Sequence, residues 1–451
     1  MNKKAVGELI DEADKNELSE LVDYYSEIKD YKKLEELYQL LLKRNPHDYA
    51  ALKELAIFYA DMEKDYEKAK KYFELALSIS DADSAIHVYY GSLLEFNFQE
   101  YELSKAHYLK AIELDPQNVE AYINLSWLYL ERLDDVNTSY IVVQEALKYV
   151  EDSEIYAQMA YIEMMKYKEY EKANNHLDIA LHLDKGNDLA YMYLGQLYII
   201  EKKYDEAKKI FSRALYEGAV NDLSVYEYTK LLIMEFNDIP EAIKVLEKAI
   251  EIYPDNVIFY AYIANLHFGL GNYNEARRYL SLAENFEIND QIALLLVGYL
   301  KVLLDDNKDD ALLYFEKVIE LNPTNLNALS FIGFYNLINN QEIDTALDYF
   351  KKIADLSKDN YIIHFIIAQI YLQHYADSTE ALEYLLKINM NVLNDTEKSH
   401  LLYIIGNVYE KYVNNNHMAL DYYEKAYRVK PSKFLEEVIN NIYESDKTIV
   451  N

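Results

Sequence analysis

Cysteine is absent from the 451 residues, which excludes disulfides and thiolate metal sites and suits the cytoplasm. Glycine (10) and proline (6) are scarce, as expected of a chain that is mostly helix. Positive charge is short: 45 Lys and Arg stand against 78 Asp and Glu, a formal net charge of −33. Phosphate backbones and anionic membranes recruit clustered Lys and Arg, so neither nucleic acid nor a membrane surface is an expected partner. Such a charge would draw in a basic protein, and it also keeps a surface soluble. Long apolar runs are missing too. Stretches 292–304 and 361–372 are short or interrupted by Lys301 and His364, and no membrane insertion is expected. The start, MNKKAVGELIDEAD, meets Glu8 and Asp11 before any apolar core forms, so it does not read as a secretory signal.

Motifs for chemistry are also wanting. Gly269 and Gly271 are a lone pair in a turn, not a phosphate-cradling loop. No HExxH occurs, and His176 and His182, six apart, fall on different helix faces. The acidic run 305–310 lacks the ligand spacing and central glycine of a calcium loop. Gly91-Ser92 lacks an elbow and a partnering base. No catalytic residue, cofactor or metal site is expected, and the chain reads as a non-enzyme.

Apolar residues make up half of the chain, and tyrosine alone accounts for 47 positions. A tyrosine ring fills a gap between helices while its hydroxyl reaches an edge. The apolar residues are periodic. In residues 190–215, Leu194, Gly195 and Tyr198 mark one face of a helix. Tyr204, Ala207, Phe211 and Ala214 mark one face of a second, with Lys202-Lys203 as a polar turn between them. The unit recurs every 34 or 35 residues, with a last step of 38, starting near 15, 49, 84, 119, 154, 188, 223, 257, 291, 326, 361 and 399. Gly91, Gly195, Gly298, Gly333 and Gly406 all fall at position 8, where the two helices meet closely. Pro46, Pro116, Pro254, Pro323 and Pro431 end second helices.

This pattern resembles the tetratricopeptide repeat family: a large residue at position 4, Leu-Gly at 7 and 8, Tyr at 11, Ala at 20, an aromatic at 24 and Ala at 27. The resemblance implies an all-α fold, a right-handed α-solenoid superhelix of antiparallel helix pairs. Twelve tandem units are expected over 15–433, with a capping helix at 1–14 and a closing helix and tail at 434–451. The extra residue of the longer units is expected in the turn between helices. Residues 387–400, the one large spacing change, are expected to form a longer loop or hinge, with Asn394 or Asp395 capping the next helix and Glu397 near the capping-box place.

The resemblance further implies that positions 2, 5, 9 and 12 of each first helix line a concave groove. Read onto those positions, the groove-lining candidates are Ile123, Trp127, Leu130, Ile162, Met165, Met192, Gln196, Ile199, Leu231, Met234, Asn265, Phe268, Leu295, Tyr299, Phe334, Leu337, Phe365 and Gln369. The middle of this wall is apolar and its ends are polar. Exposed apolar surface on such a scale marks a binding site. The carboxylate clamp of the family is absent, since Val88, Ser92, Ile155 and Met159 surround the lone Asn124. The expected function is a scaffold that binds a protein or peptide in its groove. Two alternatives are an immunity-type protein that sequesters a basic toxin or enzyme, and a structural component that forms homo-oligomers.

Overall fold

The computed structural model describes residues 21–449 except 23, 29, 306 and 359. The expected helix at 1–14, and the start of the unit expected at 15, lie outside the described residues. Among the described residues all regular structure is helical, and short helices fold back on one another in sequence order. The fold is an all-α solenoid of helix pairs. It divides into two compact units, residues 1–245 and 246–451.

Each first helix starts for a local reason. An Asp or Asn stands immediately before it and accepts a backbone N–H from its first turn, as at Asp48, Asp83, Asn118, Asp152, Asn187, Asn221, Asn256, Asn325 and Asn360. The pair then closes through a residue in the left-handed region. That residue is seldom glycine: Lys64, Gln99, Asp134, Lys168, Lys202, Asn237, Gln341, Ala376 and Asn414 all have φ between 50° and 58°. In the unit opening at Ser84 the extra residue is not simple loop. It is taken up as a widened helical turn, Leu94–Phe98, at the end of the first helix, and similar turns occur at Leu128–Arg132, Glu163–Tyr167, Asn336–Asn340 and Tyr371–Tyr375.

The core lies between the two helices of each pair and continues into the next pair. The glycine at position 8 faces the large ring of its own second helix. A Cβ on Gly195 would stand 2.3 Å from Phe211, and one on Gly91 or Gly406 would stand 2.7 Å from Tyr108 or Tyr423. The helices therefore approach through a ring rather than backbone to backbone.

Neighbouring pairs are stitched by phenol–carboxylate hydrogen bonds. Tyr59 donates to Glu35 (2.6 Å), Tyr49 to Asp83 (3.0 Å), Tyr140 to Glu163 (2.6 Å), Tyr279 to Glu247 (2.8 Å) and Tyr314 to Glu284 (3.0 Å). A neutral donor can satisfy a carboxylate where cations are few.

Residues 387–400 are packed rather than hinge-like. Ile388 and Leu393 are buried around a short turn, Met390–Val392. Of the two candidate caps Asn394 is the one used, and with Glu397 it forms a capping box on Asp395–Lys411. After the last pair, helix Lys433–Ile449 buries Leu435 and Ile442 against it.

Candidate partner-binding surface

What a partner could touch is the part of each first helix that neither its own second helix nor the adjacent pairs cover. In Asp188–Ile200 the covered residues include Ala190, Tyr191, Leu194, Gly195 and Leu197, at positions 3, 4, 7, 8 and 10. Positions 2, 9 and 13 stay more open, and they follow one helical stripe.

The register differs from expectation in two places. The helices expected to start at 154 and 223 begin at Ser153 and Asp222. Side-chain bonding agrees for the first. Ser153 donates to the carbonyl of Ala180 (2.9 Å), as Ser84 does to Ala111 (3.0 Å) and Ser399 to Ala426 (2.9 Å). A one-residue shift turns a helix face by about 100°. Ile162 and Leu231 consequently move to position 10 and are buried, which corrects their placement in the groove. Two more candidates are buried because the first helices of this unit pack on one another. Leu130 joins a cluster with Ile155 and Met159 of the following helix, and Met192 joins Ala157, Ala160 and Met164 of the preceding one. These four are core residues.

The other candidates reach the surface to varying degrees. Met165, Met234, Asn265, Tyr299 and Phe334 are exposed. Ile123, Trp127, Gln196, Ile199, Phe268, Leu295, Leu337, Phe365 and Gln369 are half-buried. Trp127 rests on Tyr161, and Tyr161 on Tyr193, with centroids 5.0 Å apart in both cases. Tyr299 and Phe334 each set an edge contact to a ring of their own second helix, Phe315 and Phe350, at 5.0 Å.

Sequence reasoning missed position 13, where exposed apolar side chains recur. In the first unit these are Phe96, Met165, Ile200 and Met234, the last 72% exposed. In the second unit they are Leu303 and Ile338, the latter 66% exposed, with Ile292 and Ile362 exposed at position 2. The signal was available as a stripe through positions 2, 6, 9 and 13 in place of 2, 5, 9 and 12.

Four of the five first helices of the second unit are depleted of charge; the fifth, Asp395–Lys411, carries Asp395, Glu397, Lys398, Glu410 and Lys411. In Val257–Gly269, Gln291–Asp305, Leu326–Tyr335 and Tyr361–Ile370 the only Lys, Arg, Asp or Glu residues are Lys301 and Asp305. The chain as a whole is 27% charged, so these helices are set apart from it. Lys301 is turned aside into an ion pair with Glu284 at 2.5 Å.

Buried ionisable groups lie in the first unit. Glu163 is fully buried and accepts from Tyr140, with His176 Nδ1 at 2.8 Å. Burial pushes the Glu95 carboxyl up, opposed by the Tyr108 hydroxyl (3.1 Å) and by Arg132. His87 and His107 face each other, Nδ1 to Nδ1, at 2.8 Å. Burial, with His87 beside it, lowers His107 to about 4, so the imidazole is neutral near pH 7. Among the described residues no three His, Asp or Glu side chains are grouped to hold a metal ion, and no helix is long and apolar enough to cross a membrane.

Models of the tetratricopeptide repeat match residues 61–83, 90–118 and 189–217, 107–139, and 234–295. The chain belongs to the tetratricopeptide repeat proteins, a class that in general serves as non-catalytic scaffolds for protein–protein interaction. No curated protein sequence matches it. Among solved structures, Pseudomonas aeruginosa PilF is 20% identical over 47% of this chain and 95% of its own, with a TM-score of 0.36. The APC/C hetero-tetramer Cut9–Hcn1 is 15% identical over 93% of this chain and 91% of its own (TM-score 0.38). The human IFIT1 dimer with PPP-AAAA is 16% identical over 88% and 84% (TM-score 0.37).

Proposed function

We propose that this chain is a non-enzymatic scaffold whose first-helix face, above all in residues 246–451, binds a segment of another protein. The observation that carries the reading is the charge-poor apolar stripe of Ile292, Tyr299, Leu303, Phe334, Ile338 and Ile362 in an otherwise highly charged chain. Cores of protein interfaces are depleted of charge in this way, and a solvated surface is not. Aromatic anchors such as Tyr299 and Phe334 would carry a large share of the affinity. The charge of −33 speaks against nucleic acid as the ligand.

Salt and substitution test this reading together. Partner retained on the immobilised chain at 1 M salt, and lost on Phe334→Asp or Ile338→Lys, supports the apolar face. The Debye length falls to roughly 3 Å at 1 M salt, so an acidic sequestering protein would release a basic partner there. Self-association would appear as a mass that rises with concentration in light scattering and falls to the monomer value on Ile338→Lys.

A further inference from the structure

The repeat steps are 34 or 35 residues except the one from 361 to 399, which is 38. That irregular step has built a cavity. The added residues form the turn Met390–Val392 and place Ile388 and Leu393 as walls. Ile362, Phe365, Leu401 and Ile404 complete an apolar lining around about 190 Å³. Tyr361, Glu397 and His400 stand at its rim. An apolar cavity of roughly 150 Å³ takes a benzene ring, so this one is sized for a single large side chain.

The rim adds a charge requirement. The Glu397 carboxylate accepts from the Tyr361 hydroxyl (3.0 Å) and the Asn394 backbone N–H (2.9 Å), both neutral donors. Among the described residues no Lys or Arg pairs with it. The carboxylate, in the first turn of Asp395–Lys411, thus has neutral donors and no cation as partners beside an apolar hole, and the facing helix, Tyr361–Ile370, carries no Lys, Arg, Asp or Glu.

We propose that this cavity is the socket for one aromatic or large aliphatic side chain of a bound protein segment, with a Lys or Arg next to it in that segment meeting Glu397. The proposal rests on the partner-binding reading of the first-helix face and narrows the partner to an apolar residue beside a basic one.

The test uses the full chain with ¹³C-labelled isoleucine methyl groups and three probes: N-acetyl-Trp-Lys-amide, N-acetyl-Trp-Glu-amide and N-acetyl-Ala-Lys-amide. The Trp-Lys probe should shift the Ile362, Ile388 and Ile404 methyls in a saturable way. The Trp-Glu probe should bind about fivefold or more weakly, the worth of one partly exposed charge pair. The Ala-Lys probe should leave the socket methyls in place. Leu393→Trp, which fills the hole, should abolish the response. Glu397→Gln keeps the cap, because Gln serves at that position, and should erase the preference for Lys over Glu. Equal shifts from all three probes, or a preference that survives Glu397→Gln, would overturn the proposal. Ile338→Lys, outside the socket, should leave probe binding intact; its effect on the whole partner reports on the wider surface separately.

Discussion

At the residue scale, the pairing of position 8 with the ring opposite is a matter of volume shared across each helix pair. Gly91, Gly195, Gly298, Gly333 and Gly406 face Tyr108, Phe211, Phe315, Phe350 and Tyr423. Where position 8 is alanine, as at Ala160 and Ala368, the same core clusters hold Leu177 and Leu385 in place of a ring. Ala56 with Phe73 is the departure from this exchange. Gly195→Ala should therefore cost about 1–3 kcal/mol by overpacking. Adding Phe211→Leu should return part of that loss in a double-mutant cycle read by urea denaturation. Additive losses would show that the ring does not set the limit. A second residue-scale effect is acid sensitivity. His107 titrates near 4 in the folded chain, below the ordinary value of 6.5. The unfolded chain takes up a proton first, so stability is present above pH 6.5 and falls as pH drops toward 4. The melting temperature should decline across that window, and His87→Leu/His107→Leu should flatten the decline.

Elements were legible to the extent that their signals are periodic. Helix pairs and glycines at position 8 could be read directly, and the cap at 394–397 to within one residue. The phase of two helices could not, because Leu-rich and Tyr-rich stretches such as 223–234 fit two registers equally well by hydrophobicity. The capping Asn221 and Asp152 mark the phase, and the apolar pattern does not. The same shift explains why Met165 and Met234 are exposed although their units were phased one residue late. Counted from 154 and 223 they fall at position 12, and from the observed starts, Ser153 and Asp222, at position 13. Burial of Leu130 and Met192 depends on how tightly adjacent first helices pack, which no single repeat encodes. The turns offer a test of element geometry. Ala376 sits at φ 50°, a conformation that disfavours a side chain. Ala376→Gly should raise stability by about 0.5–1 kcal/mol, measured by thermal melting. A loss would mean the turn relaxes out of the left-handed region in solution.

On the scale of the whole molecule, abundant tyrosine and abundant acid belong together. Phenols donate to carboxylates between successive pairs, and in doing so they satisfy acids that 45 basic residues cannot all reach. Burial first, then the bond to Glu35 or Glu247, raises Tyr59 and Tyr279 to about 12; for Tyr375 the bond to Asp344 is the main cause of a similar rise. Groups raised in this way contribute stability that is whole below pH 10 and lost as pH climbs through 12. Alkaline unfolding should fall in that window and become less steep in Tyr59→Phe/Tyr279→Phe.

Site-specific photo-crosslinking in the native host tests most directly whether the charge-poor first-helix face receives a partner, as proposed. A benzophenone side chain placed at Leu303 or Ile338 should capture one discrete partner. The same group at exposed Leu313 or Tyr216, on second helices, should capture none. Capture from Leu313 and Tyr216 with silence at Leu303 and Ile338 would contradict the account.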